Sequence, residues 1–278
     1  MHPDAATSPV QVRRVSLPDM GIETPDVVAR EEPLEIRVEG RSVAVVMRTP
    51  GHDEELAAGF LVTEGVVRSA WEILEISQCP SAGNTHGNVV DVLLAGGAVV
   101  DWQNLTRHVF SASSCGICGK TSIDSVFQHF PAVPGPDSTE ALRVPMHRLT
   151  GLPEALRAAQ EAFAQTGGLH ASAVFDPEGT MQVIREDVGR HNALDKVIGW
   201  ALREGRLPFH QQILLVSGRV SFEIMQKALA AGLPIVAAIS APSSLAVDFA
   251  MESGQTLVGF LRGRGMNVYT HPWRLTAG

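Results

Sequence analysis

Cysteine is scarce in this chain of 278 residues, which has only Cys79, Cys115 and Cys118. Three, unevenly placed, are too few for a disulfide framework, and a close pair in a reducing compartment serves catalysis or metal binding more often than structure. Positive charge is not in excess: 22 Lys+Arg against 30 Asp+Glu give −8. That balance argues against a general nucleic-acid or membrane-surface binder, while leaving room for one local basic pocket. No apolar run is long enough to span a bilayer, and the richest, 233–241, is strand-sized. The N-terminus lacks the basic start and apolar stretch of a signal peptide. A soluble, cytoplasmic protein is expected. Internal repeats and low-complexity segments are missing. So are a Walker motif and a complete G-x-G-x-x-G, which leaves NTP hydrolysis and dinucleotide redox unsupported.

What is present is ordinary globular composition, 45% hydrophobic and 19% charged, with material for one large or two modest domains. Residues 1–24 are polar and proline-punctuated and read as a loose tail. Glu35-Ile36-Arg37-Val38-Glu39 alternates, turns at Gly40-Arg41 and continues through Met47, a hairpin signal. Asp53 is a plausible N-cap for a helix through Leu61. Further strands are expected at 89–94 and 98–102, so that 25–130 forms a small α+β domain ending in a Gly- and Ser-rich loop at about 110–120. Pro131–Pro136 reads as a linker. Beyond it, helices at 149–165, 187–203, 222–231 and 244–252 alternate with strands at 171–175, 181–185, 212–216, 234–239, 256–261 and 266–269. This is the pattern of a layered α/β sheet with parallel members over 137–278.

Three motifs carry chemistry. Cys115-Gly116-Ile117-Cys118-Gly119 lies in a polar loop beside Lys120. Glycine amides and a lysine lower a thiol pKa, so a reactive thiol fits, whether as sulfur carrier or redox dithiol; half a zinc site and a pair of inert apolar cysteines are the alternatives. Cys79, before Pro80, reads as structural. The second motif runs Arg185-Glu186-Asp187-Val188-Gly189-Arg190-His191-Asn192-Ala193-Leu194-Asp195-Lys196. Asp187, His191 and Asp195 are spaced by four along a helix start, which suits either a solvated face or a ligand site. Third, apolar strands run into Ser217-Gly218-Arg219, into Ser240-Ala241-Pro242-Ser243-Ser244, and through Phe260-Leu261 into Arg262-Gly263-Arg264-Gly265. If the first two strands are parallel, their turns offer helix N-terminal amides and arginines to a phosphate-bearing ligand; a serine there also serves as a plain N-cap. The 260–265 turn could equally be an exposed hairpin with solubilising arginines.

These strings, with Val216-Ser217-Gly218-Arg219-Val220-Ser221-Phe222-Glu223 and Ser240 to Ala246, resemble the formate dehydrogenase accessory protein family, FdhD, over most of the chain from about Glu35 to Tyr269. The resemblance implies a sulfurtransferase. It would take sulfane sulfur from a cysteine desulfurase and pass it to a molybdenum or tungsten cofactor carrying two guanine dinucleotide pterins (Mo-bis(molybdopterin guanine dinucleotide)), before insertion into formate dehydrogenase. Cys115 would carry the persulfide and Cys118 assist. Phe260 to Gly265, Ser217, Gly218, Arg219, Ser243, Ser244, Asp187, Arg190 and His191 would surround the acceptor. The family also implies a small α+β domain, a cytidine-deaminase-like three-layer α/β domain and a homodimer, with no permanent cofactor. The deaminase zinc motif does not carry over, because His170-Ala171-Ser172 lacks the glutamate of H-x-E and no P-C-x-x-C follows; no metal is expected. The alternative function is a non-catalytic chaperone for the cofactor or apo-enzyme, with zinc at the cysteine pair.

Overall fold

A computed structural model describes residues 6–78, 87–96, 102 and 130–277. Cys79, Cys115, Cys118 and most of the strand expected at 98–102 lie outside the described residues.

The larger sheet has six strands in the order β13-β12-β11-β10-β8-β9. These are β8 (His170–Phe175), β9 (Met181–Asp187), β10 (Ile213–Val216), β11 (Ile235–Ala238), β12 (Thr256–Arg262) and β13 (Gly265–Val268). β10, β11 and β12 run parallel, and β8, β9 and β13 are antiparallel to their neighbours. The continuous apolar text of β10 follows from burial on both faces. Ile213 and Leu215 enter a core under the short strand β7 (Val144–Pro145), α2 (Met146–Thr150) and α3 (Leu152–Ala159). Leu214 and Val216 enter the opposite core, with α5 (Arg190–Arg203), α6 (Phe222–Ala230) and α7 (Ser244–Ser253). The result is the expected three-layer α/β arrangement.

The smaller sheet is β4-β3-β6-β5: β3 (Glu32–Val38), β4 (Arg41–Arg48), β5 (Ile73–Gln78) and β6 (Val89–Leu94). Leu34, Ile36 and Val38 point one way along β3 and pack under α1 (Asp53–Thr63). Ala58 and Val62, on the far side of α1, belong to the α5–α7 core. A helix apolar all round is one covered all round: α1 lies between the smaller sheet and α5. Glycines make that crossing close. A Cβ on Gly59 would sit 1.8 Å from the Asp195 carbonyl oxygen, and one on Gly199 would sit 1.8 Å from that of Glu55. Gly199→Ala should therefore prise the helices apart and cost about 2–3 kcal/mol by overpacking. Urea unfolding checks this; a loss under about 0.5 kcal/mol, within the range of ordinary surface changes, would show that the crossing yields easily.

Four sequence expectations are corrected. The tail contains β1 (Thr7–Arg13), paired antiparallel with β2 (Glu23–Ala29); Pro9 and Pro25 obscure the strands locally, and pairing supplies what propensity does not. The helix expected over 149–165 is three, α2, α3 and α4 (Glu161–Thr166), interrupted at Gly151 and Gln160. Asp53 is not the N-cap of α1: His52 is, in the left-handed region (φ 58°), and the Asp53 carboxylate is held by Arg48 at 2.8 and 2.9 Å. The helix expected from Asp187 begins at Arg190, and Asp187 ends β9. The proline-rich 131–136 stretch is also pinned, with the Val133 amide donating to Ser253 and Pro134 accepting from Arg274. Among the described residues no helix is long and apolar enough to cross a membrane.

Candidate functional site

Because β10, β11 and β12 are parallel, their carboxyl ends share one edge of the sheet, the place where open α/β sheets hold ligands. Backbone bonds tie the three turns together. The Val220 amide donates to Ala241, Ser243 donates to Val220, and Phe260 donates to Ser240. Ser243 caps α7 by accepting from the Ala246 amide at 3.3 Å, and Ser243 and Ser244 are exposed. The Ser217 hydroxyl accepts from the Ala171 amide at 2.9 Å, so its oxygen serves the sheet edge. Arg219 is exposed.

The 260–265 turn closes the β12–β13 hairpin. The ladder shifts register between Gly259 and Arg262, and Phe260 takes a left-handed φ of 52°, a costly conformation for a bulky residue. The bulge turns Phe260 outward, 39% exposed, while Leu261 is fully buried. Leu261 therefore offers a ligand only its backbone. The Arg262 guanidinium donates Nε to the Ile239 carbonyl at 3.1 Å and lies 5.7 Å from the Phe260 ring. One arginine is anchored at the edge; Arg264, past Gly263 (φ 52°), is exposed.

The Arg185–Lys196 string divides. Asp187 is fully buried and committed to structure. It accepts from Thr49 N, Gly189 N and Asn192 Nδ2 at 3.1, 2.8 and 3.0 Å and pairs with Lys196 at 2.7 Å. Lys196 also donates to the Thr49 carbonyl at 2.8 Å. This network joins the end of β4 to the β9–α5 turn, so Asp187 supports the site from beneath. His191, 2% exposed, has Nε2 3.4 Å from Ser221 Oγ. Arg190 borders the edge: a Cβ on Gly218 would meet its Cδ at 3.8 Å, and its buried Nε has no hydrogen-bond partner. Asp195 faces the opposite way, into Lys227 and Thr63 at 2.8 and 3.0 Å; burial raises its pKa against the pull of Lys227. Glu186 receives the Ala162 and Phe163 amides at the start of α4.

Two residues to which the sequence assigns no site role also stand out. His170 lies against Gly218, with its Nδ1 3.1 Å from where a Cβ would be. Burial, joined by the Arg190 and Arg219 cations and opposed by Asp187, lowers its pKa. The H-x-E echo, lacking its glutamate, gives no reason in the sequence to place this histidine at the edge. The other is Arg185, which grips Glu55 of α1 at 2.6 and 2.8 Å. Burial would raise the Glu55 carboxyl, but Arg185 and His52 overcome it and hold it at about 2, against its ordinary 4.5. A depressed carboxylate stabilises the fold above its unfolded pKa, and that stability is lost as pH falls from about 4.5 to about 2. Glu55→Gln should cost about 3 kcal/mol at pH 7, and its difference from the parent should vanish by about pH 2. Unfolding across pH checks this; a pH-independent difference would assign the loss to packing. Among the described residues no group of three or more His, Cys, Asp or Glu could hold a metal ion.

Fold and site together define a three-layer α/β protein with an arginine-bordered edge of strand ends suited to an anionic ligand. The sequence model of the FdhD/NarQ family matches residues 29–276, and the chain belongs to that family. It is 54% identical over 254 residues to a sulfur carrier protein FdhD of Streptomyces avermitilis, covering 90% of this chain and 89% of that one. It is 51% identical over 277 residues to a sulfur carrier protein FdhD of Mycobacterium tuberculosis, covering 98% and 99%. Among solved structures it resembles a candidate formate dehydrogenase accessory protein from Desulfotalea psychrophila, with a TM-score of 0.74, 25% identity and coverage of 98% of this chain and 100% of that one.

Proposed function

We propose that the chain is a sulfur carrier in which Cys115 holds sulfane sulfur as a persulfide. The observation that carries this is identity above one half, over nine-tenths of the chain, to proteins named sulfur carriers. In loading, the Cys115 thiolate attacks the outer sulfur of a cysteine desulfurase persulfide. The new S–S bond forms as the donor S–S bond breaks, and the donor cysteine leaves as thiolate. The acceptor is a molybdenum or tungsten cofactor with guanine dinucleotide arms, destined for a formate dehydrogenase. Its phosphates would lie on the strand-end edge, between Arg219, Arg262 and Arg264. The protein acts in the cytoplasm as a homodimer.

Mass spectrometry after incubation with a cysteine desulfurase and cysteine tests the carrier. A gain of one sulfur atom, removed by reductant, supports it; an unmodified chain holding stoichiometric zinc would replace it with the chaperone reading. For the acceptor edge, GDP serves as a fragment of the cofactor. Arg262→Ala and Arg264→Ala should each weaken GDP about tenfold or more, as expected for one charge-assisted phosphate contact. Parent-like affinity in both would remove this turn from the site.

A further inference from the structure

Arginines shielded from solvent are costly unless their charge is met. In this fold Arg48 is paired with Asp53, Arg185 with Glu55, and Arg274 donates to the Gly254 and Pro134 carbonyls. Arg190, part-buried at the head of α5, is different. Among the described residues it makes no hydrogen bond and no ion pair, and its Nε, shielded from water, has no partner. A guanidinium held at the strand-end edge with nothing of the protein to bind is a guanidinium kept for an anion.

Its surroundings suit one. β8 runs antiparallel to β10, with Ser172 opposite Val216, so the start of β8 reaches the same edge as the carboxyl end of β10. His170 opens β8, and both His170 and Arg190 lie against Gly218. A Cβ there would sit 3.1 Å from His170 Nδ1 and 3.8 Å from Arg190 Cδ. Gly218 is not among the glycines of positive φ, so it supplies room at the corner and not backbone freedom. The Gly218 and Arg219 amides donate no hydrogen bond among the described residues. Asp187, the carboxylate that acts on His170, is already paired with Lys196 at 2.7 Å. The corner thus keeps an uncancelled positive charge, two unbonded amides and an imidazole, the donor set of an oxyanion site.

The sheet order β12-β11-β10-β8 puts two strands between the end of β12 and the start of β8, about 14 Å at about 4.8 Å per strand. Arg262 is tied to the Ile239 carbonyl at the end of β11. A diphosphate, two phosphorus atoms sharing one oxygen, covers about one strand spacing and cannot serve both places. We propose that the corner of His170, Gly218 and Arg190 is a second phosphate site, with Arg219 between it and the 260–265 turn, so that one chain holds two phosphate-bearing arms of its ligand. This rests on the reading of the edge as the seat of an acceptor with two nucleotide arms. It adds that both arms lie on the same protomer, which is how the edge would favour such an acceptor over one with a single arm.

Calorimetric titration of the full chain with GDP tests this. Two molecules should bind per chain. Arg190→Gln should weaken one of them about tenfold and leave the other within about twofold of the parent, and Arg262→Ala should do the converse. Gly218→Ala, whose methyl presses on His170, should act as Arg190→Gln does. Because Arg190 has no partner in the fold, Arg190→Gln should unfold at the parent's midpoint. One GDP per chain, weakened by Arg190→Gln and Arg262→Ala alike, would merge corner and turn into one site and overturn the proposal. One GDP weakened by Arg262→Ala alone would overturn the corner and leave the edge as the acceptor's seat. No GDP binding at all would overturn the edge reading and the corner with it.

Discussion

Cys115→Ala should abolish persulfide loading, leaving a chain that gains no sulfur from a cysteine desulfurase under conditions where the parent gains one atom. The expectation rests on chemistry. A persulfide needs a thiolate as acceptor, and of the two thiols in Cys115-Gly116-Ile117-Cys118-Gly119-Lys120 the first opens the string that marks the family. In the sequence the neighbouring Gly116 and Gly119 carry no Cβ and Lys120 is a cation, residue types that favour an ionised sulfur where they lie against it. Cys118→Ala should load the parent amount but pass the sulfur on more slowly, if its thiol assists release. Intact-mass analysis of the three proteins, each checked by thermal unfolding, separates the outcomes. Undiminished loading in Cys115→Ala would move the carrier to Cys118 or Cys79.

The parallel strands β10 and β11 were legible because each is a short apolar run stopped by a serine-bearing turn and followed by a helix, a grammar carried by neighbouring residues. The three-layer fold and the shared edge of Ser217, Ser243 and Arg262 follow from it. What was illegible depends on residues distant in sequence. Gly59 and Gly199 look like weak points in two helices until their crossing places each against the other's backbone. Asp187, His191 and Asp195, four apart, suggest one helical face, yet Asp187 ends a strand and Asp195 pairs with Lys227 on another helix. His52 and Glu55 are neighbours in the sequence, and only the approach of Arg185 from β9 makes them one ion-pair cluster joining α1 to the larger sheet.

Lys196→Met should be the most damaging substitution at the β9–α5 junction, costing about 3–5 kcal/mol, because it strands a buried charge. Asp187 is fully buried, and Lys196 Nζ, equally buried, lies 2.7 Å from its Oδ2. With the ammonium gone, three N–H donors remain on the carboxylate, but the compensating charge does not, and the Thr49 carbonyl loses its 2.8 Å donor as well. Pairing the change with Asp187→Leu should recover part of the loss, since removing both charges leaves nothing ionised to desolvate. Denaturant midpoints of the parent, single and double variants measure this directly. The site supplies a second readout. The network holds the turn from which Arg190 reaches the strand-end edge, so GDP affinity per folded molecule should fall in Lys196→Met only as far as that turn is displaced. A stability loss under about 1 kcal/mol, in the range of a solvent-exposed pair, would show that water reaches Asp187 and that the junction is looser than its geometry implies.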